Sequence, residues 1–166
     1  MRVLGADLPG ESWKLRGQIG YLGHDPLLYR ELSVRQNLEF QARLHGVAAA
    51  RVGQVIDGVG LANRADEPLR ELSRGMVQRA AAARAILSDP PLLLLDEPRA
   101  GLDPAAAELL EPLIGRQSGR TRVLVTHDVE GGLGESDQVL GLRGGRQELF
   151  EPAESVTATR LRELYS

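Results

Sequence analysis

Apolar positions along this chain fall into three rhythms, and each rhythm predicts a kind of element. Over 33–45 they keep helical spacing. Ser33 stands where a capping side chain belongs, Gln36 completes a capping box, and Gly46 is placed to end the helix. Val52, Val55, Ile56 and Val59 make a second helical face. A third helix follows Ser73-Arg74-Gly75, with Met76, Ala80, Ala83 and Leu87 on one stripe and the break at Ser88-Asp89-Pro90-Pro91. The stretch 63–70 between them is polar and predicts a loop.

The second rhythm is the short unbroken run. Leu92-Leu93-Leu94-Leu95 after a proline pair suits a strand buried on both faces of a parallel sheet. Ile19 to Gly23 reads as another short strand, running into a loop at His24-Asp25-Pro26, and 121–125 reads as a third, ending just before Thr126-His127-Asp128. Asp103-Pro104 opens a helix between the last two strands, with a capping side chain and then proline at the first helical position. Pro112 should kink that helix or end it early. Strand, helix and strand make a βαβ unit. The third rhythm is alternation. After a glycine-rich stretch, 138–142 and 147–150 flank Arg143-Gly144-Gly145-Arg146 as a hairpin, and 160–165 predicts a short terminal helix.

Composition narrows the chemistry. The 166 residues are 42% hydrophobic and 26% charged, the balance of one globular domain. A net charge of −3 gives no basic field for nucleic acid. The absence of cysteine excludes disulfides, thiolate metal sites and thiol nucleophiles. No apolar run approaches the ~20 residues of a membrane span, and Asp7 and Glu11 interrupt any secretory leader, so the expected compartment is the cytoplasm. The twenty basic residues include a single lysine, Lys14, in Glu11-Ser12-Trp13-Lys14-Leu15. A phosphate-cradling G-x-x-x-x-G-K-[ST] loop needs a lysine after glycine, and these residues contain no such loop.

Several residues could still carry phosphate chemistry. The strand ending in Asp96-Glu97 delivers two carboxylates to the carboxyl end of a sheet, where ligands bind in open α/β folds. One could hold Mg²⁺ together with phosphate oxygens, and the other could take a proton from water. Taken alone, the same run is equally a strand followed by a polar turn. His127 stands 31 residues further on, at the end of the next strand, where a right-handed crossover would bring it to the same side of the sheet. Leu72-Ser73-Arg74-Gly75 presents a helix start whose free N–H groups suit an anion, though it is also an ordinary cap. Ala100-Gly101-Leu102-Asp103 by itself reads as a turn and an N-cap.

The order of these pieces is more specific than any one of them. Gly23-His24-Asp25-Pro26, Leu72-Ser73-Arg74-Gly75, the Leu-Leu-Leu-Leu-Asp-Glu-Pro strand, Gly101-Leu102-Asp103 and Thr126-His127-Asp128 together resemble the ATP-binding subunit of ABC transporters, from about Val3 to about Gly145. The Gly23 to Pro26 and Leu72 to Met76 stretches are most similar to bacterial exporter ATPases of the haem-exporter and multidrug branch. The resemblance implies an α/β fold: an incomplete P-loop NTPase core with a parallel sheet plus an inserted helical subdomain. The helical subdomain would occupy about 25–85, and the Walker B, D-loop and H-loop part of the core about 86–150. It implies roles too. Asp96 would support Mg²⁺, Glu97 would polarise water, and His127 would be the switch histidine. Ser73 and Gly75 would belong to the signature motif that closes over ATP, Asp103 to the D-loop, and His24 to the Q-loop region. ATP and Mg²⁺ would act in a complete dimer with a second ATP-binding subunit. Transporter membrane subunits would be the other partners, at the inner face of the cell membrane.

Three features depart from the family pattern. Arg74 stands where the signature has glycine, and Met76 where it commonly has glutamine. Neither His24 nor Asp25 is the usual Q-loop glutamine. The family's Walker A strand and loop have no counterpart here, so the chain resembles one that opens after them. Three readings follow: a fragment of a transporter ATPase driving export, a non-catalytic module lending its signature motif to a partner ATPase, and a soluble DNA-repair or chromosome-structure relative. Against the last stand the acidic balance and the lack of long heptad repeats.

Overall fold

The computed structural model describes residues 1–165, and side chains as far as residue 164. The chain divides into two compact units, Met1–Val123 and the segment from Leu124 onward, and each is described by itself.

The first unit opens with a small antiparallel hairpin of β1 (Arg2–Val3) and β2 (Ala6–Asp7). Its turn falls at Leu4 and Gly5, which both take positive φ, 47° and 81°. The chain's single lysine follows in a 3-10 turn, Ser12–Leu15, where Lys14 pairs with Glu11 at 2.5 Å and lies over the Trp13 ring.

A three-stranded sheet has the order β3-β4-β5, with β3 spanning Ile19–Leu22, β4 Leu92–Asp96 and β5 Thr121–Val125, the division between the units falling within β5 after Val123. β3 and β4 run parallel in the register Ile19↔Leu92 to Leu22↔Leu95. Leu93 and Leu95 are fully buried, as a run without polar alternation requires.

Helices α1 (Val34–His45), α2 (Ala49–Gly58) and α3 (Arg74–Ile86) lie between β3 and β4 in the chain. The Ser33–Gln36 capping box forms in both directions, and Gly46 closes α1 in the left-handed conformation. The stretch 63–70 is not all loop. Short 3-10 turns occupy Ala62–Arg64 and Leu69–Glu71, because Leu61 and Leu69 are buried and pull the backbone inward. α3 packs on β3, α1 and α2, and its residues 80–83 and 85–86 are buried around most of its circumference. That is a broader face than the single stripe of the sequence pattern. Alanine makes it possible, since small side chains let backbones approach on every side.

β4 is followed by α4 (Pro104–Ile114), which continues through Pro112. A proline so near the C-terminus removes only one ladder bond, and Leu110 and Ile114, both buried, hold the last turn in the core.

The second unit contains α5 (Val129–Glu135), the hairpin β6 (Gln138–Arg143) with β7 (Arg146–Pro152), and α6 (Ala158–Tyr165). Its core joins Leu149, Val156 and Leu161, with Val129, Leu133 and Val139 against them. α5 forms in the glycine-rich stretch despite three glycines. Asp128 caps it, accepting from the Gly131 N–H at 3.1 Å, and Val129 and Leu133 bury its inner face. Among the described residues, no helix is long and apolar enough to cross a membrane.

Two predictions follow from this packing. A methyl group on Gly20 would run into the Ala85 carbonyl of α3 and come within 2.7 Å of Leu93 Cδ2 and 2.9 Å of Pro90 Cγ. Gly20→Ala should therefore cost about 1–3 kcal/mol, read as a lower urea midpoint at unchanged slope. Val123 on β5 is 52% exposed beside a strand edge, and such edges template association. Val123→Lys should reduce concentration-dependent light scattering of the isolated chain; scattering equal to that of the unaltered chain would count against the edge argument.

Candidate functional site

Strand β4 ends by turning sharply. Glu97 takes φ +49°, a left-handed conformation that costs a non-glycine residue on the order of 1–2 kcal/mol. The turn is closed by the Ala100 N–H, which donates to the Glu97 carbonyl at 3.0 Å, and Pro98 is buried beneath it. The sequence carries no sign of this strain. Its effect is to stop the strand abruptly and to leave Asp96 and Glu97, both half-buried, side by side at the strand's carboxyl end.

A cavity of about 320 Å³ opens there. Asp96 and Glu97 line one part, His24 and Pro26 from the loop after β3 another, and Arg74 and Gln78 from the first turns of α3 a third. Two carboxylates, an imidazole, a guanidinium and an amide thus meet around one space. Among the described residues, no cluster of three or more His, Asp or Glu side chains could hold a metal ion by itself. Asp96 and Glu97 fit a hard cation that takes one or two protein carboxylates and completes its shell with phosphate oxygens and water. Mg²⁺ is such a cation.

Ser73 and Gly75 lie at the start of α3, beside this cavity. Ser73 is exposed and caps the helix, its Oγ accepting from the Met76 N–H at 3.3 Å, so its hydroxyl proton is left to donate elsewhere. Gly75 faces the Gly101 turn closely: a Cβ at Gly75 would stand 3.3 Å from the Gly101 carbonyl oxygen. Gly101 has φ +75°, and the Arg74 stem lies over it, with Nε 3.2 Å from where a Cβ would be. The helix start and the Gly101-Leu102-Asp103 turn therefore pack as one surface. Asp103 caps α4, accepting from the Ala106 N–H at 2.8 Å, which uses one of its two carboxylate oxygens.

His127 belongs to the second unit. It is exposed, and its backbone is fixed from both sides. The Asp128 N–H donates to Thr126 Oγ1 at 3.1 Å, and Asp128 then caps α5.

Two residues were not singled out by sequence reasoning. Gln78 donates from Nε2 to the Pro98 carbonyl at 3.4 Å, tying α3 to the turn after Glu97. Arg84 donates to the carbonyls of Tyr21 at 2.6 Å and Pro26 at 3.2 Å, tying α3 to the loop that carries His24. Desolvation lowers the Arg84 pKa, partly countered by Asp25 and Tyr21 nearby. The available signal was a lone charged residue inside Ala80-Ala81-Ala82-Ala83-Arg84-Ala85.

Comparison with known proteins gives this geometry a family. Residues 1–100 match the family model described as ABC transporter. The chain is 37% identical over 164 residues to the phosphonates import ATP-binding protein PhnC of Anaeromyxobacter dehalogenans, covering 91% of this chain and 33% of that protein. It is 32% identical to the Nod factor export ATP-binding protein I of Ralstonia nicotianae, covering 89% and 48%. It thus spans between a third and a half of the length of these relatives. A solved structure of an ATP binding subunit of an ABC transporter superimposes with a TM-score of 0.84 at 27% identity, over 98% of this chain and 73% of that one. CbiO1 from Clostridium perfringens, part of the ABC transporter complex CbiONQ, gives 0.73 at 31% identity, over 93% and 64%. The α/β fold is that of a P-loop NTPase core, and the chain belongs to the ABC transporter family of ATP-binding domains.

Proposed function

We propose that this chain forms the part of an ABC transporter ATP-binding subunit that completes and closes a Mg-ATP site, coupling hydrolysis to movement of a solute across a membrane. One observation carries the reading: Asp96, Glu97 and His24 share a single cavity at the carboxyl end of β4, next to the helix start that bears Ser73. Asp96 holds Mg²⁺, which when bound neutralises phosphate charge. Glu97 orients water and accepts its proton. His24 faces the same space from the Q-loop position, and His127 hydrogen-bonds the terminal phosphate. Ser73 and the N–H groups at the start of α3, with Gly75, take the phosphate of ATP held by a second subunit. Asp103, on the turn against Gly75, couples the two subunits.

The family membership supports ATP as the nucleotide, a dimer of ATP-binding subunits and docking on membrane subunits at the inner face of the cell membrane. The helical part at about 25–85 and the core part at about 86–150 follow from the motif order. The Gly23 to Pro26 and Leu72 to Met76 stretches favour export and the haem-exporter branch. Relatives named as phosphonate, taurine and sulfonate import proteins favour uptake. The chemistry proposed for the site is the same in both directions.

A second reading rests on Lys14. The chain's one lysine is paired with Glu11 in a 3-10 turn, so no lysine of these residues cradles phosphate. By itself this polypeptide then lends a signature helix to ATP held elsewhere. Two outcomes are expected. The isolated chain should show no micromolar Mg-ATP binding by calorimetry; such binding, with turnover lost in Glu97→Gln, would refute this. Mixed with a full-length subunit whose own signature serine is mutated, the chain should restore ATP hydrolysis. That gain should survive Glu97→Gln here and fall about 10²-fold with Ser73→Arg, the scale of losing a preorganised donor. Association of the two chains without stimulation would overturn the signature role.

A further inference from the structure

The loop after β3 carries His24 into the cavity, yet little of the backbone holds it. Residues 24–28 make no backbone-to-backbone hydrogen bond outside the strand ladder among the described residues. Leu27 sits at φ +51°, and its N–H is taken by the Asp25 side chain at 3.0 Å. Arg84 of α3 reaches the segment at Pro26 and the end of β3 before it at Tyr21, while buried Asn37 of α1 holds Tyr29 just beyond it. Arg84 Nη2 donates to the Tyr21 carbonyl at 2.6 Å, and Nε donates to the Pro26 carbonyl at 3.2 Å. One guanidinium therefore bonds the chain on either side of His24.

We infer that Arg84 is a positioning residue: its planar fork ties Pro26 of the loop to Tyr21 at the end of β3, so that His24 between them is held at the cavity that Asp96 and Glu97 also line. Three observations make this more than packing. The guanidinium is half-buried in a run of alanines, where an apolar side chain would fill the space without desolvating a charge. The fork geometry matters, because two carbonyls at different directions need two N–H groups on one rigid plane, which lysine lacks. And the anchoring end is itself rigid: α3 touches β3 at Gly20 with no room for a side chain, one residue from Arg84 in the helix. The same helix holds the turn after Glu97 through Gln78 and Pro98. α3 thus holds both of the loops that line the cavity.

The significance of His24 rests on the function proposed above; the clamp does not, and the test separates them. The full 166-residue chain, without nucleotide, is compared with Arg84→Met and Arg84→Lys. Amide exchange is measured at residues 23–28, and carbethoxylation rates are measured at His24, His45 and His127 by mass spectrometry. The inference expects Arg84→Met to speed exchange at 23–28 by about tenfold or more through local opening. The same variant should change the His24 modification rate several-fold, with α1 exchange and the rates of His45 and His127 unaltered. Arg84→Lys should fall between, since it recovers one of the two contacts. If Arg84→Met does not fold, Arg84→Lys alone decides, with faster exchange at 23–28 and an altered His24 rate still expected. Loop exchange and His24 reactivity unchanged in the folded variants, even with a lowered urea midpoint, would reduce Arg84 to a packing residue and overturn the inference. A clamp that behaves as expected in a chain that never stimulates a partner ATPase would leave the clamp standing and remove the functional reading.

Discussion

Helix α3 lies on strand β3 so closely that the Ala85 carbonyl occupies the space a side chain at Gly20 would need. This contact constrains everything around the cavity. A helix pressed backbone-to-backbone against a strand has little freedom to slide or rotate. Its alanines at 80–83 and 85 permit the approach and are buried by it. From that fixed axis side chains reach outward: the Arg74 stem lies over Gly101, Gln78 donates to Pro98, and Arg84 donates to Tyr21 and Pro26. The loops that carry His24 and Glu97 are thus both tied to one rigid element.

The second organising feature is the abrupt end of β4. Four leucines make the strand an interior element, and the positive φ at Glu97 ends it within one residue. Strain of this kind persists only where surrounding structure enforces it. Here the enforcement comes from the buried Pro98 and from the hydrogen bond between Ala100 and the Glu97 carbonyl. The outcome is a pair of adjacent carboxylates at a sheet end, half-buried, with a histidine and an arginine across the same space.

Much of this was legible in the sequence because it is local. The capping box at Ser33 and Gln36, the caps at Ser73 and Asp103, and the glycine closing α1 are each written in a few neighbouring residues, and each forms. The unbroken leucine run announced a buried strand. What was not legible depends on distant neighbours. α5 contradicts the helix propensity of Gly131, Gly132 and Gly134, because a cap and burial of Val129 and Leu133 outweigh a cost of about 1 kcal/mol per glycine. α4 runs through Pro112 because Leu110 and Ile114 anchor its end in the core. Arg84 could be noticed as an odd residue among alanines, but its two carbonyl partners lie 58 and 63 residues away and exist only once α3 has packed. The order of motifs was enough to place the chain in its family, since each motif sits at a strand end or helix start that local chemistry fixes.

The role proposed for the start of α3 is to close over ATP bound to another subunit. The chain has no cysteine, so Glu71→Cys creates a unique attachment point just ahead of Ser73. A nitroxide placed there, combined with Mn²⁺-ATP on a full-length, hydrolysis-deficient partner subunit, allows the label-to-metal distance to be measured by pulsed electron resonance. A short, narrow distance distribution is expected to appear on adding nucleotide and to disappear with Ser73→Arg. A broad distribution unaffected by nucleotide, in a sample where the two chains are demonstrably associated, would contradict that role.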